Sequence, residues 1–518
     1  MSTFQWTTPT RRVGSRFLSP IPHEVYLEIF KYLDQSEELD ATHCKRTFSA
    51  LARVCRFFCA ISISRIYRTL EFSGAHPNRA YSNFCQLLLT QNDSDPDVRF
   101  AANIAGFVEE CVFTDWMSGR GQEWTNEFLD QNAKAMRLMP NIASLRLEST
   151  PITKSLLFTI SKLKTTLKTV SIHSCPLQAE LTKPQRRDLD SLRLHTVEFF
   201  GTSALSPDTL RLRDVEVFRT DSWEYGAYFL KRQHPSLRIL ELHEVKDLHM
   251  VFKYLEKWPP PPSDPCPLEE LIITDIHLQL GADIPILTPA ALPNIHTIHI
   301  PPSFLPSFSH RRLRKVVLLG SDARDVPGNH GPEIIDPALP YLTAKDMAPL
   351  MQSADSLTEL HIPQHVYFAF DVCKNLKHLE VLVLAYAHPN YPMIPVISRT
   401  ELFRDAIHAL CTKWGPSSSL RELRLDFGAD AGVDARPFMW DLQLQHQQLT
   451  GPLISTAFPQ LTTAQIAARF VIWQRWDTFG TSWRPFVPHR FREIVRDALA
   501  RGRPYTDVGG CLEVFDYK

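Results

Sequence analysis

The chain has no long apolar run, almost no net charge and no close cysteine pairing, and each absence removes a class of function. Nowhere in its 518 residues do the 18 or so consecutive apolar residues of a membrane span occur, and the opening MSTFQWTTPTRRVGSRF lacks the apolar stretch of a signal peptide. The expected setting is intracellular, in cytoplasm and/or nucleus. Lys+Arg number 56 against Asp+Glu 57, a formal charge of -1. No overall field therefore draws the chain to nucleic acid or an anionic membrane, and neither is an expected partner. Ten cysteines occur without a single C-x-x-C pair, the usage of reduced thiols rather than of a disulfide framework.

Signatures of catalysis are missing too. There is no G-x-S-x-G, H-E-x-x-H, P-loop or G-x-G-x-x-G. Ser161-x-x-Lys164 has a nucleophile-pair spacing without its companion motifs. His296 with His299, and His361 with His365, sit on or beside expected strands and have no third metal ligand nearby. No cofactor, no metal and no chemistry of the chain's own are expected.

What is present is a globular composition, 44% hydrophobic and 22% charged, and two patterns. The first lies in residues 18–72. Pro22 suits the first turn of a helix and Glu24 sits near the positive end of its dipole. Val25, Ile29 and Leu33 then recur every four residues, with Leu27 and Phe30 widening the apolar face. A second helix, capped by Thr47, is expected to carry Phe48, Leu51, Val54, Phe58 and Ile61 as one stripe, and Ile66, Tyr67 and Leu70 would close the bundle. So short a segment buries little, so this much apolar surface calls for a partner. The same periodicity also suits a helical hairpin inside a larger core.

Ile21-Pro22-His23-Glu24-Val25-x-Leu27-x-Ile29-Phe30-x-x-Leu33, followed by Phe48-x-x-Leu51-Ala52-Arg53-Val54-Cys55-Arg56-x-Phe58, resembles the F-box. The departures are Ile21 in place of the usual leucine and a longer, more charged connector over residues 35–48. The resemblance implies a three-helix module docking on a Skp-type adaptor, and through it on a cullin-RING core, as the noncatalytic substrate receptor of an SCF ubiquitin ligase. The docking residues it implies are Pro22, Val25, Ile29, Leu33, Leu51, Val54 and Phe58.

The second pattern is aliphatic-x-x-aliphatic-x-aliphatic, as in Ile142-A-S-Leu145-R-Leu147 and Leu237-R-I-Leu240-E-Leu242. Its matches run from Ile142 to Leu420 at a mean step of about 28 residues, a leucine-rich-repeat period. Prolines punctuate several of them, at Pro140, Pro235, Pro267 and Pro293, and hold the chain extended as a strand begins. This resembles divergent leucine-rich repeats, whose usual Asn or Cys after the strand is missing here. The aliphatic positions would stack inward, leaving a concave row of Arg146, Ser171, Glu198, Glu216, Glu241, Ile272, His299, Val317, His361, Val383 and Arg424. A protein target would be held at Ile272, His299, Val317, His361 and Val383, unless neighbouring loops simply cover the three apolar ones.

The expected fold is therefore α/β: a disordered N-terminus over 1–17, an F-box over 18–72 and a helical connector over 73–138. An irregular solenoid with a parallel concave sheet follows over 139–430, then a C-terminal cap over 431–518. Segments 222–233, 248–257 and 401–414 are expected as helices between strands. Arg311 to Lys315 is expected as a solvated strand edge, and Pro259 to Pro262 as a spacer between repeats.

Overall fold

The computed structural model describes residues 11–13, 16–19, 21–35, 41–75, 79–90, 94–117, 122–177, 187, 189, 191–201, 214–232, 235–243, 245, 248–257, 267–274, 286–318, 346–363, 366–367, 376–385, 404, 406–412, 417, 419–426, 442–466, 471–475 and 483–486. The proline run 259–262 and the segments 427–441 and 487–518 lie outside them. The chain divides into two units, Met1–Phe229 and Leu230–Lys518.

The first unit opens with β1 (Arg11–Val13) and β2 (Arg16–Leu18), an antiparallel pair in which Arg11 faces Leu18. Residues 11–13 and 16–17 of the segment expected to be disordered are therefore in strands, and residues 1–10 of it lie outside the described residues. Three helices follow, α1 (His23–Gln35), α2 (Ala41–Ala52) and α3 (Arg56–Ile66). The stripe expected on one helix is thus divided between two. Cys55, extended at φ -162 and ψ 165, breaks the helix and caps the next, its Sγ accepting from the Phe58 N–H at 3.5 Å. Thr47 lies inside α2 rather than at its cap, and Val54 falls in the break.

Six parallel strands come next: β3 (Thr69–Ser73), β4 (Glu110–Thr114), β5 (Ser144–Glu148), β6 (Thr169–His173), β7 (Thr196–Phe200) and β8 (Val217–Thr220), each paired with its neighbours in sequence. Helices α4 (Arg79–Leu89) and α5 (Pro96–Ala105) lie between β3 and β4, α6 (Gln122–Met136) between β4 and β5, and α7 (Lys154–Lys162) between β5 and β6. The segment expected as a purely helical connector therefore holds β4, and the last residues assigned to the three-helix module belong to β3. The strand signal there is Tyr67-x-x-Leu70-x-Phe72 and Val108-x-x-Cys111-x-Phe113, in which aromatics and a cysteine occupy aliphatic positions. Leu70, Cys111, Leu145, Val170, Val197 and Phe218 stack inward and are almost wholly buried, each large one stabilising by about 1.5–3 kcal/mol. Phe72 and Phe113 stack beside them with centroids 4.9 Å apart.

Two backbone devices repeat with the strands. At each strand start one carbonyl receives two successive N–H groups: Arg68 O from Glu109 and Glu110, Glu109 O from Ala143 and Ser144, Ala143 O from Lys168 and Thr169. At the strand exits Asp115, Ser149, Ser174 and Gly201 adopt left-handed φ of 57, 44, 52 and 59. These turns stack as well, the N–H of Ser149 reaching His173 O at 2.9 Å and that of Ser174 reaching Phe200 O at 2.7 Å. Short polar side chains tolerate this conformation next best after glycine, so the turn can recur without a recurring residue.

Helix α8 (Trp223–Arg232) spans the boundary between the units. The second unit carries β9 (Ile239–Leu242), β10 (Glu270–Ile273), β11 (Thr297–Ile300), β12 (Lys315–Leu318), β13 (Glu359–Pro363), β14 (Val381–Ala385), β15 (Glu422–Asp426) and β16 (Thr463–Ile466), all parallel. Helix α9 (Leu248–Glu256) follows β9, a 3-10 helix (Pro302–Phe308) follows β11, and α10 (Ala348–Gln352) precedes β13. Within the expected 401–414 helix, residues 406–412 are helical. The parallel series runs one strand beyond the expected end, because Leu461-x-x-Ala464-x-Ile466 uses alanine where the pattern asks for a larger residue.

Helices α11 (Leu442–Thr450) and α12 (Pro452–Ala457) precede β16. Then β17 (Ile472–Arg475) and β18 (Trp483–Phe486) turn antiparallel, with Pro485 on β18 opposite Trp473. The Trp473 indole N–H donates to Gln445 Oε1 of α11 at 2.9 Å, both groups buried. Arg311, expected in solvent, is only 4% exposed. Its guanidinium donates to the carbonyls of Ser309, Thr288 and Ala291, closing the backbone before β12.

Candidate functional site

Helix α1 is apolar over more of its circumference than one core can cover, and the structure shows which side is covered. Tyr26 and Phe30 point inward with Phe48 and Phe57. Tyr26 meets Phe57 and Phe58 edge-on with centroids 5.4 Å away, and Phe30 stacks on Phe48 at 5.8 Å. Arg65 of α3 lies over the Phe30 ring at 5.5 Å. The aliphatic side is left outside: Val25 is 44% exposed, Ile29 50% and Tyr32 78%, with Val54 in the α2–α3 break at 65%. Pro22 is exposed, and Leu33 and Leu51 are half-buried. Phe58 is half-buried as well and touches the inner aromatic cluster, its ring 5.7 Å from that of Phe30. Tyr32 was missed, since periodicity alone does not say which side of so apolar a helix is covered.

The second candidate surface is one face of the sheet. In the second unit the register places Glu241, Ile272, His299, Val317, His361, Val383, Arg424 and Gln465 side by side, one from each strand. The five residues expected to hold a target are consecutive in that row. Ile272, His299 and His361 are half-buried, while Val317 and Val383 are 5% and 8% exposed. Those two valines are therefore covered, and the polar members carry the accessible chemistry. His361 Nε2 lies 2.8 Å from Glu359 Oε1, which also receives Lys315 Nζ at 2.9 Å. His243 makes the same two-residue contact with Glu241 at 2.7 Å.

In the first unit the row is Glu71, Val112, Arg146, Ser171, Glu198 and Arg219. Arg219 replaces the expected Glu216, because the strand is Val215-x-x-Phe218-x-Thr220, three residues later than the pattern placed it. Arg219 donates to Glu198 Oε1 at 2.5 Å. Ser171 Oγ lies 2.8 Å from His173 Nε2, and the same ring nitrogen faces Glu198 Oε2 at 4.0 Å. Serine and carboxylate thus share one nitrogen instead of standing on opposite sides of the ring, which is not the order of a nucleophile, base and orienting acid.

Other groups with possible reactivity are spent on structure. Ser161 Oγ donates to Phe158 O at 2.8 Å. Burial pushes the thiols of Cys85 and Cys411 up to about 12 and that of Cys175 to about 11, so none is a thiolate near neutral pH.

The His173 ring, opposed by burial and helped by Arg219 and Ser171, holds the Glu198 carboxyl at about 2, and His361 with Lys315 does the same for Glu359. A carboxyl depressed below its ordinary 4.5 contributes stability above that value and loses it as pH falls toward 2. Urea midpoints measured between pH 6 and 2.5 should fall more steeply for the native chain than for Glu198→Gln. Equal slopes would mean that the carboxylate contributes nothing to the fold.

No family model matches the chain, and no curated protein matches it. Among solved structures it is similar to the complex of Rad7 and Elc1 from yeast, at 14% identity over 79% of this chain and 93% of that one, with a TM-score of 0.32. So loose a superposition carries no assignment, and the fold is argued from the strand register. Successive parallel strands, entered through the same doubled backbone hydrogen bond and in four cases left through a left-handed turn, define the class as an α/β repeat solenoid.

Proposed function

We propose that this chain is a noncatalytic F-box substrate receptor, which docks on a Skp-type adaptor through its N-terminal helices and presents a protein target from its sheet face to a cullin-RING core. The observation that carries the reading is the aliphatic face of α1, where Val25, Ile29 and Tyr32 stand in solvent although the inner side of the helix is fully packed. Exposed apolar residues clustered on one helix face are the footprint of a partner. Val25 and Ile29 among them are residues that make the sequence resemble an F-box. The row from Ile272 to Val383 is read as the target surface, its histidines and charges setting specificity and rate.

Co-purification of the full chain with a recombinant Skp-type adaptor, a cullin and a RING subunit tests this. Retention of all four is expected. Retention of the adaptor without the cullin favours an adaptor-binding protein without ligase output, and retention of neither leaves a repeat scaffold.

A further inference from the structure

A cleft of about 710 Å³ in the first unit is lined by α2, by β3, by the exit of β4 and by Tyr81 of α4. Arg46, Ser49 and Ala50 of α2 and Arg53, in the turn just after it, line one side of the cleft. Arg46 and Arg53 are both exposed. Among the described residues neither guanidinium makes an ion pair, although Glu71 and Asp115 line the same cleft.

The third cation there is already engaged. Lys45 Nζ donates to Thr69 O at 3.0 Å. Its burial lowers the ammonium pKa, and Glu71 and Glu110 act against that shift. What remains is two positive forks on one side of the cleft, with hydroxyls beside them. Burial raises the Tyr81 phenol, so it keeps its proton and can donate.

We propose that this cleft binds a phosphomonoester, held by Arg46 and Arg53 with Ser49 and Tyr81 as hydroxyl donors. Two guanidinium groups match the charge of a phosphate dianion, and their planar donor pairs match its oxygens. Carboxylates on Glu71 and Asp115 confine the anion to the α2 side. The volume is that of a site for an organic molecule rather than for one ion, so the phosphate arrives on a body, either a small organic phosphate or a phosphorylated side chain.

Calorimetric titration of the full chain tests the site, with phenyl phosphate, inorganic phosphate, the tripeptide Ala-phosphoserine-Ala and the dicarboxylate phthalate as probes. Saturable binding of at least one phosphate probe is expected. It should weaken at least tenfold in R46A/R53A and partially in R46K/R53K, which keeps the charges and loses the forks. Tightest binding of the tripeptide assigns a phosphorylated side chain as the source, and tightest binding of either other phosphate assigns a small molecule. No saturation at millimolar probe, unchanged binding in R46A/R53A, or phthalate binding as tightly as phosphate overturns the proposal. Circular dichroism of the variants checks that both remain folded.

Discussion

Replacing Val25 and Ile29 together by glutamate is expected to abolish capture of a Skp-type adaptor while leaving the chain as stable as before. Interface anchors cost about 2 kcal/mol or more each when truncated, and an unpaired carboxylate pressed into an apolar contact adds to that loss. Two such changes lower affinity by at least about a thousandfold, at roughly 1.4 kcal/mol per factor of ten. Stability is spared because both side chains already stand in solvent, where substitutions usually stay within about 0.5 kcal/mol, and glutamate is a better helix former than valine. Calorimetric titration with the adaptor and a thermal melt of the variant read the two halves separately. Affinity within threefold of the native chain, in a variant with an unchanged melt, would place the docking surface elsewhere.

The largest loss of stability in the first unit is expected from Phe218→Ala. The Phe218 ring is wholly buried, lies parallel to Phe229 with centroids 4.0 Å apart, and meets Phe199 edge-on at 6.4 Å. Truncating a core phenylalanine costs about 3–5 kcal/mol, of which part is the cavity left behind. Neighbouring repeats contribute to one another's stability, so the damage extends to the contacts of β7. Urea unfolding followed by limited proteolysis should show an earlier midpoint and new cleavage within residues 190–229. A loss below about 1 kcal/mol would mean that Phe199, Tyr225 and Phe229 close over the gap.

Much of the repeat structure is legible because a parallel strand with a buried face needs aliphatic residues at fixed offsets, and most strands supply them. Two of the missed strands share one cause. Cys111, Phe113 and Ala464 fill inward positions without being Leu, Ile or Val, so β4 and β16 escape a pattern written in aliphatics. At β8 the run Leu212-x-x-Val215-x-Val217 imitates the motif, and the true third inward residue is Thr220, 1% exposed. The stacked exit turns were invisible for a different reason, since Asp115, Ser149, Ser174 and Gly201 share a backbone angle but are of three residue types.

The candidate site was half legible. Apolar residues on α1 announce a helix and a partner, but which are inside is decided by aromatics packing on aromatics from α2 and α3. That three-dimensional choice sends Tyr26 and Phe30 in and leaves Val25 and Ile29 out. The break at Cys55 was hidden because the apolar period runs unbroken through it, and cysteine is a rare cap. Arg46 and Arg53 carry no sequence signal of a site, and only the fold sets β3 and β4 beside them.

The antiparallel turn at β17 and β18 bears on how such a chain survives at high concentration. A ladder of parallel strands has no internal reason to stop, and a bare final strand offers its open backbone groups to the next molecule. Here the last described strand runs the other way and carries Pro485, which has no N–H to offer. That strand therefore has one backbone donor fewer to offer another copy. Stopping the chain after β16 would leave an open parallel edge, the template on which end-to-end assembly starts.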